Sequence, residues 1–73
     1  MDAQHLIKMA NQIGAFFESM PDRKEALEGV ANHIEKFWDP RMRKAFLTSI
    51  DSKQDKDLSS FVREAILTHR SQF

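Results

Sequence analysis

Apolar residues recur three and four positions apart in four stretches of the chain, and nowhere do they alternate with polar ones. In the first stretch Leu6, Met9, Ile13, Phe16, Phe17 and Met20 fall on one stripe at 100° per residue, with Lys8, Asn11 and Glu18 off it. Asp2 is placed to cap that helix, and Pro21 closes it. A second helix opens on a capping box of Asp22 and Glu25. It carries Leu27, Val30, Ala31, Ile34, Phe37 and Trp38 on one face, opposite Gly29, Asn32 and Lys36. Asp39 then caps a third, shorter helix whose first position suits Pro40, because the N–H that proline lacks has no partner there. Its apolar side is Met42, Phe46, Leu47 and Ile50. Residues 51–57, DSKQDKD, read as a charged, solvated linker. A last helix from about Asp57 points Leu58, Phe61, Val62, Ala65 and Ile66 inward, and the terminal RSQF is expected to fray. The prediction is an all-α bundle of about four helices, three longer and one short after Asp39-Pro40, joined by short connections in one domain over 1–73.

Length and composition narrow what such a bundle can do. A chain of 73 residues buries roughly 60% of its unfolded surface, so a binding partner would add to a small stability. There is no cysteine, which excludes disulfides, iron–sulfur ligation and thiolate zinc sites. Eleven basic residues balance eleven acidic ones, so no global field draws the protein to nucleic acid or an anionic membrane. The first residues have neither a long apolar core nor a small-residue cleavage site, and no apolar run approaches the ~18 residues of a membrane span. A cytoplasmic protein without membrane contact is the expectation.

Few residues are spaced for catalysis. His5, His33 and His69 fall on different predicted helices with no partner one turn away, so no convergent lone pairs are arranged for a metal. Asp51, Asp55 and Asp57 alternate as in a calcium loop, but Lys53 takes a ligand position and no glycine permits the sharp turn. Ser59 and Ser60 lack a nucleophile elbow, and the two glycines, Gly14 and Gly29, form no phosphate loop.

Aromatic and basic residues say more. Six Phe and one Trp are many for so small a core, and Phe16 and Phe17 together cover a wide helical face. They can be core, or part of the aromatic surface can dock on a larger protein. Gly14 and Ile7 share a flank outside the main stripe of the first helix, where a glycine permits close approach by a neighbour. In FWDPRMRK, residues 37–44, Arg41 and Lys44 point away from the apolar side of the third helix, whereas Arg43 falls among Phe46, Leu47 and Ile50. Arg43 either snorkels with its stem packed or presents its fork to a carboxylate or carbonyls across an interface. Phe17, Trp38, Arg41, Arg43 and Lys44 are therefore the candidate partner-binding residues.

The residues MANQI at 9–13, FF at 16–17, PDR at 21–23, ANHI at 31–34 and FWDPRMR at 37–43 occur in order. In these marks the chain resembles the delta subunit of cytoplasmic NAD-dependent formate dehydrogenases. The resemblance spans residues 6–47, and the tail beyond Ile50 matches only as one more amphipathic helix. It implies a non-catalytic accessory subunit that binds and stabilises a large catalytic subunit, with the other subunits of the complex as further contacts. The molybdenum or tungsten pterin, iron–sulfur clusters, flavin and NAD are then expected in the partner subunits, with no cofactor in this chain. It supplies no catalytic residues to carry over. Two other functions fit the sequence less closely: a transient assembly factor for the apo large subunit, and a small helix-turn-helix DNA-binding protein, against which the Asp-Pro junction argues.

Overall fold

The computed structural model describes residues 2–73 and contains only helices, turns and loops among them. Helix α1 spans Ala3–Glu18, α2 Arg23–Phe37, α3 Pro40–Asp51 and α4 Ser60–Thr68, followed by a short 3-10 turn over Arg70–Gln72. The all-α, four-helix prediction holds, but the shortest helix is α4 with nine residues rather than α3, which has twelve. The predicted N-cap residues are in place: Asp2 accepts from the Gln4 N–H, Asp22 from those of Lys24 and Glu25, and Asp39 from that of Met42, but the Glu25 side chain does not complete the capping box by accepting from the Asp22 N–H. Each such cap satisfies a backbone donor that the first helical turn leaves free. The fourth helix starts later than expected, because Ser59 rather than Asp57 caps it through the Val62 N–H.

Helix α1 packs on all three others, and α2 packs on α1 and α4. Ile7, Val30, Ile34, Phe46, Val62 and Ile66 are the largest side chains buried completely. Trp38 joins this core edge-on to Phe46, with ring centroids 5.3 Å apart and planes at 75°. Helices α2 and α4 are clamped at one end by Arg23, whose guanidinium lies 5.3 Å from the Phe61 ring centroid and bonds Glu64 at 2.6 Å.

Two sequence expectations need correction here. The buried side of α1 is Leu6, Ile7, Ala10 and Gly14, a stripe rotated from the predicted one. The cause is the close approach of α4, which Gly14 permits. A Cβ on Gly14 would stand 2.4 Å from Val62 Cγ2, so the glycine flank is a packing seam. Asn11, expected to face solvent, clamps the loop before α4 by donating to the Asp57 carbonyl and accepting from the Ser59 N–H, both at 2.9 Å.

The charged segment over 51–57 is likewise more structured than its composition suggests. Asp51 belongs to α3, which ends in a Schellman arrangement. The Lys53 N–H donates to the Ile50 carbonyl and that of Gln54 to the Ser49 carbonyl, with Lys53 at φ 61° in the left-handed region. Asp55 and Leu58 are buried, and Arg63 donates to both the Asp55 carboxylate and its carbonyl. The C-terminal residues do not splay away either. Arg70 forms a two-pronged pair with Asp51 at 2.8 and 2.7 Å, and Phe73 packs half-buried against the core.

Candidate functional site

The rotation of α1 leaves its second apolar row without a helix to cover it. Met9, Ile13, Phe16 and Phe17 form one wall of an open groove of about 550 Å³, with Gln12 at its edge. The other wall is His33 and Phe37 at the C-terminal end of α2, and Trp38 and Met42 close the end at the α2–α3 corner. Aromatic rings run in sequence across it. Phe16 meets Phe17 edge-on at 5.1 Å, Phe17 meets His33 at 6.2 Å, and His33 lies against Phe37 at 4.8 Å. Phe16 is 71% exposed and Phe37 72%. Two nearly bare phenyl rings flanking half-buried Met, Ile and His side chains are the composition of a protein-docking surface, in which aromatic anchors and adaptable Met side chains predominate.

Gly29 shapes the floor between the walls. A Cβ there would lie 2.5 Å from Phe17 Cδ1, so the missing side chain lets the Phe17 ring rest directly on α2. Phe17 therefore sits in the groove. Trp38 does not present itself to a partner: at 4% exposure its indole belongs to the core, and only its edge reaches the end of the groove.

Arg43 is also committed within the molecule. Its Nη1 donates to the Trp38 carbonyl at 2.7 Å and to the Glu35 carbonyl at 2.9 Å. These carbonyls lie in and just after the last turn of α2, where helical hydrogen bonding has run out and the dipole is negative. The helix dipole relevant to Arg43 is thus that of α2, not that of its own helix. The sequence leaves Arg43 either packed with its head in water or presenting its fork across an interface; in the fold its Nη1 caps the C-terminus of α2 and ties the α2–α3 corner.

Arg41 and Lys44 are exposed, as predicted. Lys44 borders a second recess of about 400 Å³ between α3 and the C-terminus, lined also by Pro40, Arg43, Leu47, Thr48, Asp51, Arg70 and Phe73. Within it the hydrogen bond from Arg70 holds the Asp51 carboxyl below its ordinary range. Arg41 and Lys44 also border a shallower recess on the other side of α3, with Ala3 and Gln54. The five residues singled out in the sequence therefore divide: Phe17 in the groove, Trp38 and Arg43 in the scaffold behind it, Arg41 and Lys44 on a basic edge. Phe16 and Phe37 are the exposed anchors that periodicity assigned to the core. Position on a helical wheel cannot separate a buried phenyl from one at the edge of a stripe; an uncovered stripe wider than the neighbouring helix can fill is the available signal.

Among the described residues no group of three or more His, Asp or Glu side chains is placed to hold a metal. None of the described helices is long and apolar enough to cross a membrane.

The sequence model of the family described as "NADH-dependant formate dehydrogenase delta subunit FdsD" matches residues 5–66, which takes in α2, α3 and most of α1 and α4. No curated protein and no solved structure gives a significant match.

Proposed function

Because the chain belongs to the NADH-dependent formate dehydrogenase delta-subunit family, we propose that it is a non-catalytic accessory subunit of such an enzyme, working in the cytoplasm by binding and stabilising the large molybdenum- or tungsten-bearing subunit. The observation that carries the docking mode is the uncovered aromatic groove, with Phe16 and Phe37 more than two-thirds exposed on either side of it. Burying one phenyl side chain against a partner contributes roughly 1.5–3 kcal/mol before the costs of association are subtracted. Two anchors with the Met9 and Met42 thioethers between them would form the centre of a contact that the surrounding surface completes. The pterin, iron–sulfur, flavin and NAD chemistry would reside in the partner subunits, and this protein would contribute stability to the assembled enzyme.

The test is the affinity of the purified protein for the separately purified large subunit. Phe16→Ser with Phe37→Ser is expected to weaken binding at least tenfold while leaving the denaturation midpoint of the free protein unchanged, since neither ring is in the core. Equal affinity of variant and wild type would overturn the docking mode. Recovery of the protein in stoichiometric amount from the cofactor-loaded enzyme supports a resident subunit. Recovery only with cofactor-free large subunit would reassign it as a transient assembly factor.

A further inference from the structure

The basic edge of α3 raises a separate question, because overall neutrality hides an uneven distribution of charge. Residues 40–50 hold Arg41, Arg43 and Lys44 and no acidic residue, so the remainder of this neutral molecule sums to three negative charges. Elsewhere the arginines that make ion pairs are matched one to one: Arg23 with Glu64, Arg63 with Asp55, Arg70 with Asp51. Among the described residues no carboxylate pairs with Arg41 or Lys44. Arg43 bonds carbonyls at the negative end of the α2 dipole, which offsets part of its charge. With Asp39 as its N-cap and Asp51 in its last turn, α3 still carries an excess of cations, and Arg41 and Lys44, which no carboxylate among the described residues pairs, form a local positive edge on a molecule that lacks an overall field.

Beside them lies the recess between α3 and the C-terminus. Lys44 and the Thr48 hydroxyl stand on its rim, and Leu47 and Phe73 supply an apolar floor. The one acidic group inside, Asp51, has both carboxylate oxygens engaged by Arg70. We propose that this edge and recess are a second docking surface, and that its occupant is an acidic peptide segment of the partner protein that brings one apolar residue with it. Charge complementarity selects the acidic segment. The Leu47–Phe73 floor selects a peptide over a polyphosphate, which would bring no apolar group to cover it. Met42 faces the aromatic groove while Arg43 and Lys44, one and two residues on, border the recess. A single partner can therefore engage both, with the apolar groove supplying affinity and the basic edge supplying orientation and encounter rate. That this partner is the formate dehydrogenase large subunit rests on the function proposed above; the acidic chemistry of the occupant does not.

Two measurements separate these claims. In the first, the isotope-labelled protein is titrated with a short peptide of four glutamates around one leucine, and with the same peptide carrying glutamines. Saturable amide shifts at Lys44, Thr48 and Arg70 with the acidic peptide alone are expected, weakened at least tenfold by Lys44→Glu. Shifts spread evenly over Lys24, Lys36 and Lys56, no shifts, or tighter binding of a duplex oligonucleotide would each overturn the proposal. In the second, Arg41→Glu with Lys44→Glu is expected to slow association with the large subunit about tenfold at about 50 mM salt and less than twofold at about 500 mM. A large subunit that binds wild type and variant at equal rates in low salt would also overturn it. Peptide binding at the recess without any association of wild type with the large subunit supports the acidic-segment site and removes the large subunit as the proposed partner instead.

Discussion

The two glycines of this protein mark two regions built by the same device to opposite ends. Gly14 brings α1 against α4, where the neighbour is Val62, a side chain with no exposed surface. Gly29 brings α2 against the Phe17 ring, which is half-exposed and opens onto the groove. A Cβ would crowd its neighbour to 2.4 Å in the first place and 2.5 Å in the second. In the seam there is nowhere for the displaced group to go, because protein interiors pack at near-crystalline density. At the groove the ring can swing outward. Equal crowding therefore implies unequal cost, and the difference identifies which apolar surface serves the fold and which is left over for something else.

Substitutions on either side of this divide should behave differently. The largest effect is expected at Trp38, which closes the end of the groove but is packed on Phe46. Trp38→Ala should cost about 3–5 kcal/mol, enough to leave a protein of this size largely unfolded. A denaturation midpoint near wild type would move Trp38 to the groove side of the comparison. Next comes the glycine pair itself. Gly14→Ala should destabilise by about 1–3 kcal/mol despite the gain in helix propensity. Gly29→Ala should change stability by less than about 1 kcal/mol, the displaced Phe17 ring offset by that same propensity gain, while altering affinity for a groove ligand. Equal losses in the two variants would mean the groove is as rigid as the seam.

Arg43→Met should cost about 1–2 kcal/mol through loss of the bonds to the Glu35 and Trp38 carbonyls, and Arg43→Lys somewhat less because charge is kept and the fork is not. Chemical denaturation of the free protein reads this directly; an effect on partner binding with no effect on stability would return Arg43 to the interface. The smallest effect belongs to the exposed Asp51–Arg70 pair. The folded pKa of Asp51 is depressed, so its contribution is complete above the ordinary carboxylate range and is lost as pH falls through the lowered folded value. Asp51→Asn should accordingly lower the thermal midpoint slightly at neutral pH and not at all in strong acid. A difference that grows on acidification would contradict the assignment.

Helix number, order and the first three N-caps were legible in the sequence because each is a local matter: an Asp beside a periodic apolar run, and a Pro where no donor is needed. The direction each helix faces was less so. Leu6 and Phe61 announce themselves, but Ala10 and Gly14 contribute to burial by being small, and a scale that rewards large apolar residues moves the stripe toward Phe16. Asn11 and Asp55 were assigned to solvent by polarity alone, yet each is held by partners distant in sequence, Ser59 for one and Arg63 for the other. The same nonlocality hid the role of Arg43. Its placement inside an apolar stripe was visible, but the carbonyls it binds belong to the preceding helix and depend on the angle at Asp39-Pro40.

The capping of α2 by Arg43 bears on how a partner would be met. Phe37 and Met42 stand on opposite sides of the corner that this guanidinium ties, one at the end of α2 and the other in the first turn of α3. With the corner fixed, the two side chains keep a set spacing before any partner arrives. The loss of freedom that binding would otherwise impose on a hinge has already been taken during folding. An arginine bonded within the molecule thus makes the surface beside it preorganised, and its removal should appear as slower, looser recognition even where every contacting residue is intact.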